Sequence, residues 1–302
     1  MSWRKSGNQE DIGRKGDDYL YIPDFSCVDH TFPKLDFETS LKMFKLLSFD
    51  KIDVVLNEYA GNRHLHTFQE LDHPMENGKI LAEKLSGEGF VPTDLFIFLG
   101  DHEKWAINSP NRERRLVNAD YFKKAVTYAK ACGSGHITIV PGVVFDNDYG
   151  ESLKRAAQEL KWRAGYGVEH GIVVSFEPHI GSIADTTERT LELLERAGSA
   201  TVTLDYSHFI KNGEEQEEID RLLPFAAHMH FRNACSGSSQ TIFDESCIDY
   251  QKMLHLIKRQ GYSGEMAIEF CSSPWENQNR VDTIGETVSL REHLLKLWKE
   301  TE

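Results

Sequence analysis

The sequence predicts a single α/β domain of the (β/α)8 barrel class, and three observations carry that prediction. Eight short apolar runs alternate with amphipathic segments along a chain of 302 residues. Such alternation implies parallel strands joined by right-handed crossovers, and eight units in roughly 280 residues suit a closed barrel. No linker-like break in composition interrupts them, so residues 19–302 read as one barrel behind a polar tail, residues 1–18. The alternative, an open doubly wound sheet, would normally show a glycine-rich phosphate turn after its first strand. None is visible, and the stretch Gly100 to Ser109 holds no GxGxxG.

Taken in order, the first apolar run is Tyr19 to Ile22, ending near Asp24. Leu41, Phe44 and Leu47 mark one helical face, and Ile52 to Leu56 is a β-branched run closed by Asn57 and Glu58. Thr93 to Leu99 is the third strand. Asn118 to Cys132 reads as a helix because Phe122, Ala125, Val126 and Ala129 fall at helical spacing, and Gly133 suits its C-cap. His136 to Val140 is a strand stopped by Pro141-Gly142, and Glu151 to Glu169 an amphipathic helix. Ile172 to Phe176 and Val202 to Leu204 are strands five and six. Between them a helix starts at Asp185-Thr186-Thr187-Glu188, with Asp185 as the capping acid, and stops at Gly198. Gln216 to Leu223 is a short helix, Ala226 to Phe231 a strand, Ile248 to Lys258 a helix and Glu265 to Phe270 the last strand. Val281 to Lys299 is the closing helix.

Composition narrows the function classes. A formal charge of -14 disfavours nucleic acid or an anionic membrane as partner, since phosphate binding needs a basic surface. The five cysteines are scattered and form no CxxC. They read as reduced thiols of a cytoplasmic protein. No run approaches a membrane span, and the polar N-terminus lacks the apolar stretch of a secretory signal.

The chemistry gathers at the ends of the last four strands. Strand five ends in Glu177 and strand six in Asp205, with His208 three residues on. Strand seven, AAHMHFRN, places His228 and His230 on one face because they are two apart. Strand eight ends in Glu269. In a barrel these ends meet on one rim. Three carboxylates and an imidazole form an oxygen-rich set that suits Mn²⁺, Mg²⁺ or Co²⁺ better than a closed structural Zn²⁺ site. Such crowded charges call for a cation.

On the Glu of SFEPH, the D-x-x-H of LDYSH, the H-x-H of HMHFRN and the Glu269 of GYSGEMAIE, the chain resembles the xylose-isomerase-like TIM barrel superfamily of sugar phosphate isomerases and epimerases. The likeness is detailed in the C-terminal half and rests on strand rhythm in the N-terminal half. It implies one divalent ion, Mn²⁺ first, with Mg²⁺, Co²⁺ or Zn²⁺ as alternatives, held by Glu177, Asp205, His230 and Glu269. It implies Glu177 and Glu269 as paired acid/base groups working through an enediolate on a sugar or keto-sugar. It implies that His208 contacts the substrate or supports the ligands from behind, the alternative being a merely structural histidine. Where many members read Lys-Asp after the H-x-H, this chain has Arg232-Asn233, which keeps the charge but changes its reach. The same ligand set serves lyases and dehydratases acting on keto-sugars or 3-keto-glycosides, so elimination is the alternative activity; a non-catalytic barrel subunit is the remote one. Related endonucleases need a further D-x-H pair after strand seven, which SGSSQTIFDESCIDY lacks.

Other residues carry open readings. Arg232 is a candidate sugar or carboxylate contact, and His102, beyond strand three, is a substrate contact or an idle rim histidine. His228 is a packed neighbour rather than a ligand. His64 and His66 are surface residues unless one closes over the substrate. Trp105, Phe145 and Trp275 form an apolar wall or rim packing. The loop Cys235 to Ser239 offers hydroxyls and amides but no clear phosphate motif, which favours an unphosphorylated sugar. The N-terminal tail and closing helix are candidates for building a homo-oligomer or receiving a partner subunit.

Overall fold

The computed structural model describes residues 23–59 and 61–301. The expected strand at Tyr19 to Ile22 and the polar tail before it lie outside the described residues. The chain runs β1 (Ser26–Val28), α1 (Phe37–Leu46), β2 (Lys51–Asn57), α2 (Thr67–Glu70), α3 (Pro74–Gly87), β3 (Val91–Phe98), α4 (Arg112–Cys132), β4 (His136–Ile139), α5 (Tyr149–Glu169), β5 (Val173–Phe176), α6 (Thr187–Ala197), β6 (Thr201–Asp205), α7 (Tyr206–Lys211), α8 (Gln216–Ile219), β7 (Ala226–Phe231), α9 (Tyr250–Arg259), β8 (Glu265–Ile268) and α10 (Thr283–Glu300). The eight strands close into a barrel in chain order. Every neighbouring pair is parallel, including β1 against β8, where Ser26 pairs with Ala267. The (β/α)8 class is therefore the observed one. Among the described residues no helix is long and apolar enough to cross a membrane.

The barrel's first strand is Ser26–Val28, a segment of three residues that no apolar run announces. It is buried throughout and held from both sides by β8 and β2. Most of the longer helices start at a side-chain cap. Asn111 accepts from the amides of Glu113 and Arg114, so α4 begins six residues before the apolar periodicity does. The cap of α6 is Thr186 rather than Asp185, which pairs instead with Arg189 at 2.7 Å. Gly133 ends α4 in the left-handed conformation, φ 89°, as its position predicts.

The helices pack an apolar layer against the outside of the barrel, with Phe122, Leu153, Leu193 and Leu290 buried between them and the strands. The inside is different. Toward the N-terminal ends of the strands it holds Asp53, Asp94, His136, Ser175 and His228, all buried. His136 Nδ1 bonds Asp94 at 2.6 Å and its Nε2 meets Ser175 Oγ at 2.8 Å. Buried polar groups persist where they find partners.

Candidate functional site

The site lies at the C-terminal mouth of the barrel, where a cavity of about 370 Å³ opens over Glu177, Glu269, His208 and Arg232. Each predicted side chain comes from a strand end. Glu177 follows β5, with its amide on Ile139 O of the neighbouring strand at 3.0 Å. Glu269 follows β8 and is fastened to Phe231 O at 2.9 Å. Asp205 closes β6 and caps α7, its Oδ1 accepting from the Ser207 amide at 2.8 Å. That cap turns the chain so that His208, one turn into α7, faces back over the rim.

The structure brings the four predicted ligands together as two overlapping groups. Ligating atoms of Glu177, His230 and Glu269 lie within 4.8 Å of one another, as do those of Glu177, Asp205 and His208. His230 Nδ1 stands 2.9 Å from Glu177 Oε1 and 3.3 Å from Glu269 Oε2. Arg232 enters beside them. Its Nη2 donates to Asp205 Oδ2 at 2.5 Å and lies 3.5 Å from Glu269 Oε2, while its Nε donates to Ser207 Oγ at 2.7 Å. The guanidinium thus forms part of the wall and spends most of its donors on protein.

Burial shapes the electrostatics. Loss of solvent pushes the Glu177 carboxyl up to about 7; the hydrogen bond from His230 opposes this, and the charges of Glu269 and Asp205 reinforce it. Glu269 is as deeply buried, yet Arg232 and His230 hold its carboxyl below the usual range. The residues fit a divalent cation on two grounds. With Glu177 ionised, the carboxylates of Glu177, Asp205 and Glu269 outnumber the guanidinium of Arg232, an excess of negative charge that a divalent ion would offset. Glu269 Oε2 is also a buried oxygen with no hydrogen bond of its own.

The remaining sequence candidates divide. His102 lines the cavity, with its ring 4.7 Å from Phe98 and 5.0 Å from His179. Trp275 also lines it, 6.2 Å from the His208 ring, whereas Trp105 packs on Phe68 and Tyr121 at the rim. His64 is not a surface residue: its side chain is fully buried, with Nε2 2.9 Å from Ser40 Oγ and Nδ1 3.4 Å from Asp29. It ties the loop after β2 to the turn after β1, a contact between segments that sequence spacing does not reveal. His66 is partly exposed and stands 3.8 Å from Glu58. In the Cys235 to Ser239 loop, Cys235 and Ser238 bond each other's carbonyls and the Gly237 amide donates to Lys211 O at 2.9 Å, so these amides are already spent on protein.

Three site residues were not singled out from sequence. His179, two residues past Glu177, is buried against His102 and lines the cavity, and burial drops its pKa to about 4. Asn57 ends β2 and bonds His30 at 2.6 Å. Asp53 lies inside β2 and meets the histidines of β7. A lone acid within a β-branched strand was the available signal for Asp53.

A closed parallel barrel with a carboxylate–histidine cluster at its C-terminal rim defines the class. Residues 55–293 match the family of xylose isomerase-like TIM barrels, and the chain belongs to that family. L-ribulose-5-phosphate 3-epimerase from Salmonella typhimurium is 20% identical over 255 residues, spanning 78% of this chain and 83% of that one. Among solved structures, D-psicose 3-epimerase from Clostridium cellulolyticum, crystallised with D-tagatose, superposes with a TM-score of 0.71 at 12% identity, covering 91% of this chain and 99% of that one. A xylose isomerase-like TIM barrel protein from Mycobacterium smegmatis, in complex with magnesium, gives 0.69 at 14%, covering 92% and 97%. At these identities the structural likenesses establish the fold and nothing further.

Proposed function

We propose that this chain is a divalent-metal-dependent sugar or keto-sugar isomerase or epimerase. The observation that carries the reading is His230 Nδ1 set between the carboxylates of Glu177 and Glu269, at 2.9 and 3.3 Å, with both glutamates lining a cavity large enough for a monosaccharide. The epimerase names of the ribulose phosphate and psicose relatives support it.

Glu177, Asp205, His230 and Glu269 would hold the ion, with Mn²⁺, Mg²⁺ or Co²⁺ suited to so many oxygen donors. A bound divalent ion supplies Lewis acidity to a carbonyl and its neighbouring hydroxyl, which acidifies the C–H between them. Glu177 and Glu269 come from non-adjacent strands and face each other across the cluster. One takes the proton from carbon, and the other returns it to the opposite face or the next carbon. His208 and His102 hold substrate hydroxyls from the cavity wall, and Trp275 offers an apolar face. Arg232 favours the charged forms of Asp205 and Glu269 rather than binding a sugar itself. The substrate is an unphosphorylated sugar: among the described residues lining the cavity, the only Lys and Arg side chains are Lys34, at the exposed mouth, and Arg232, already paired.

The test is incubation with a panel of ketoses and keto-glycosides in D₂O, with added Mn²⁺. Deuterium at the carbon beside the carbonyl, with all groups retained, supports isomerisation or epimerisation. Release of water or an aglycone moves the assignment to elimination. No exchange on any substrate, together with no metal uptake, overturns the enzyme reading.

A further inference from the structure

The metal reading leaves one group unexplained: a fully buried aspartate inside strand β2, pointing at the underside of His230. Asp53 Oδ1 accepts from Ser26 Oγ at 2.8 Å and from Thr93 Oγ1. Its Oδ2 lies 2.6 Å from His228 Nε2 and 3.4 Å from His230 Nε2. His230 Nε2 is itself buried and has no hydrogen bond. An ionised carboxylate has about four lone-pair sites and no proton to give. Here Ser26, Thr93 and His228 take three of those sites, and His230 Nε2 stands 3.4 Å from the oxygen that carries the fourth.

We propose that Asp53 is the positioning residue of the metal centre, fixing the tautomer of His230. The inference rests on the metal reading above. A neutral imidazole carries one proton, and the bond made by one ring nitrogen decides which nitrogen has it. Without an ion, Nδ1 can donate to Glu177 at 2.9 Å; with an ion held at Nδ1, the one proton of the neutral ring would sit on Nε2, and Asp53, an acceptor only and 3.4 Å away, would hold it there. That leaves the lone pair on Nδ1, the atom set between Glu177 and Glu269. The carboxylate also fixes the plane of the ring, and metal-bound histidines are commonly oriented by such an acceptor.

Asp53 is in turn held from behind. His228, two residues before His230 on the same inward face, donates to the same Oδ2. Its ring lies 5.1 Å from that of His136, with an interplanar angle of 28°, and His136 is anchored on Asp94 at 2.6 Å. The H-x-H pattern therefore divides its labour: the second histidine faces the cluster, and the first braces the acid that orients it. Strands β2, β3, β4 and β7 all contribute to this brace.

The experiment is metal titration of the full-length wild type and of Asp53→Asn, by calorimetry with Mn²⁺ after chelator treatment. Asparagine presents an N–H where the imidazoles need an acceptor, which drives the His230 proton toward Nδ1. The expected result is a loss of metal affinity of roughly 10- to 100-fold with the metal-free melting temperature little changed. Thr93→Val touches the other carboxylate oxygen and should keep wild-type affinity within about threefold, because the acceptor for Nε2 remains. Equal affinity of Asp53→Asn and wild type overturns the proposal. So does a second bound equivalent of metal that Asp53→Asn abolishes, since Asp53 would then be a ligand. If Asp53→Asn does not fold, the ¹⁵N-histidine spectrum of the Zn²⁺-loaded wild type decides. A proton on Nε2 of His230 supports the proposal, and a proton on Nδ1 overturns it. A wild type that takes up no metal overturns the functional reading and this inference together, whereas failure confined to Asp53→Asn leaves the functional reading standing.

Discussion

Arg232 Nη2 donates to Asp205 Oδ2 across 2.5 Å, with both side chains almost completely buried. The two residues come from β6 and from just beyond β7, so the pair crosslinks neighbouring strands at the mouth. Asp205 holds the start of α7 as well. A single guanidinium therefore governs the charge of the cluster and the placement of His208.

Replacing Arg232 with methionine should destabilise the metal-free protein by about 3–5 kcal/mol, because it strands Asp205 and Glu269 as uncompensated buried charges. Lysine should recover part of this through its charge but not the bond to Ser207. Urea denaturation in chelator measures both. A loss under about 1 kcal/mol for methionine would show that water already screens the pair.

Glu177→Gln and Glu269→Gln should each lower the rate of solvent deuterium incorporation by about 10²- to 10⁴-fold, the usual contribution of a positioned acid or base. The melting temperature separates this from unfolding. Either variant retaining full exchange contradicts the two-glutamate scheme.

Metal affinity should fall as pH drops below about 7, because burial raises the Glu177 carboxyl to that value and a bound ion must displace its proton. The sign for stability is opposite. A raised carboxyl pKa adds stability to the metal-free protein that is fully present below the ordinary pKa of about 4.3 and is lost as pH rises through about 7. Calorimetry in buffers of differing ionisation heat should detect proton release below pH 7. An affinity flat from pH 6 to pH 8, a window centred on that value, would remove Glu177 from the ligand set.

Gly142→Ala should cost about 2 kcal/mol or more, since the position has φ 96° and a Cβ there would run into the Asn108 carboxamide. Asn108 bonds Val143 O at 2.7 Å and Ser152 O at 3.1 Å, holding the loop after β4 against α5. Thermal melting reads the loss. Asn108→Ala in the same background should relieve the clash but forfeit those bonds, so the double variant should not regain wild-type stability.

Much of this protein was legible without coordinates. Apolar runs ending in Glu177, Asp205 and Glu269, and the two-residue spacing of His228 and His230, are local facts of pattern, and a closed parallel barrel turns them into neighbours. What tertiary structure decided lies between distant segments. The strand Ser26–Val28 exists because β2 and β8 flank it, its own three residues being too few to signal a strand. His64 is buried because Ser40 and Asp29 meet it from other parts of the chain. Asp53 faces His230 across a sequence separation of 177 residues because β2 and β7 both turn that register inward. Periodicity states which face a residue takes, and the barrel's closure alone states what stands opposite it.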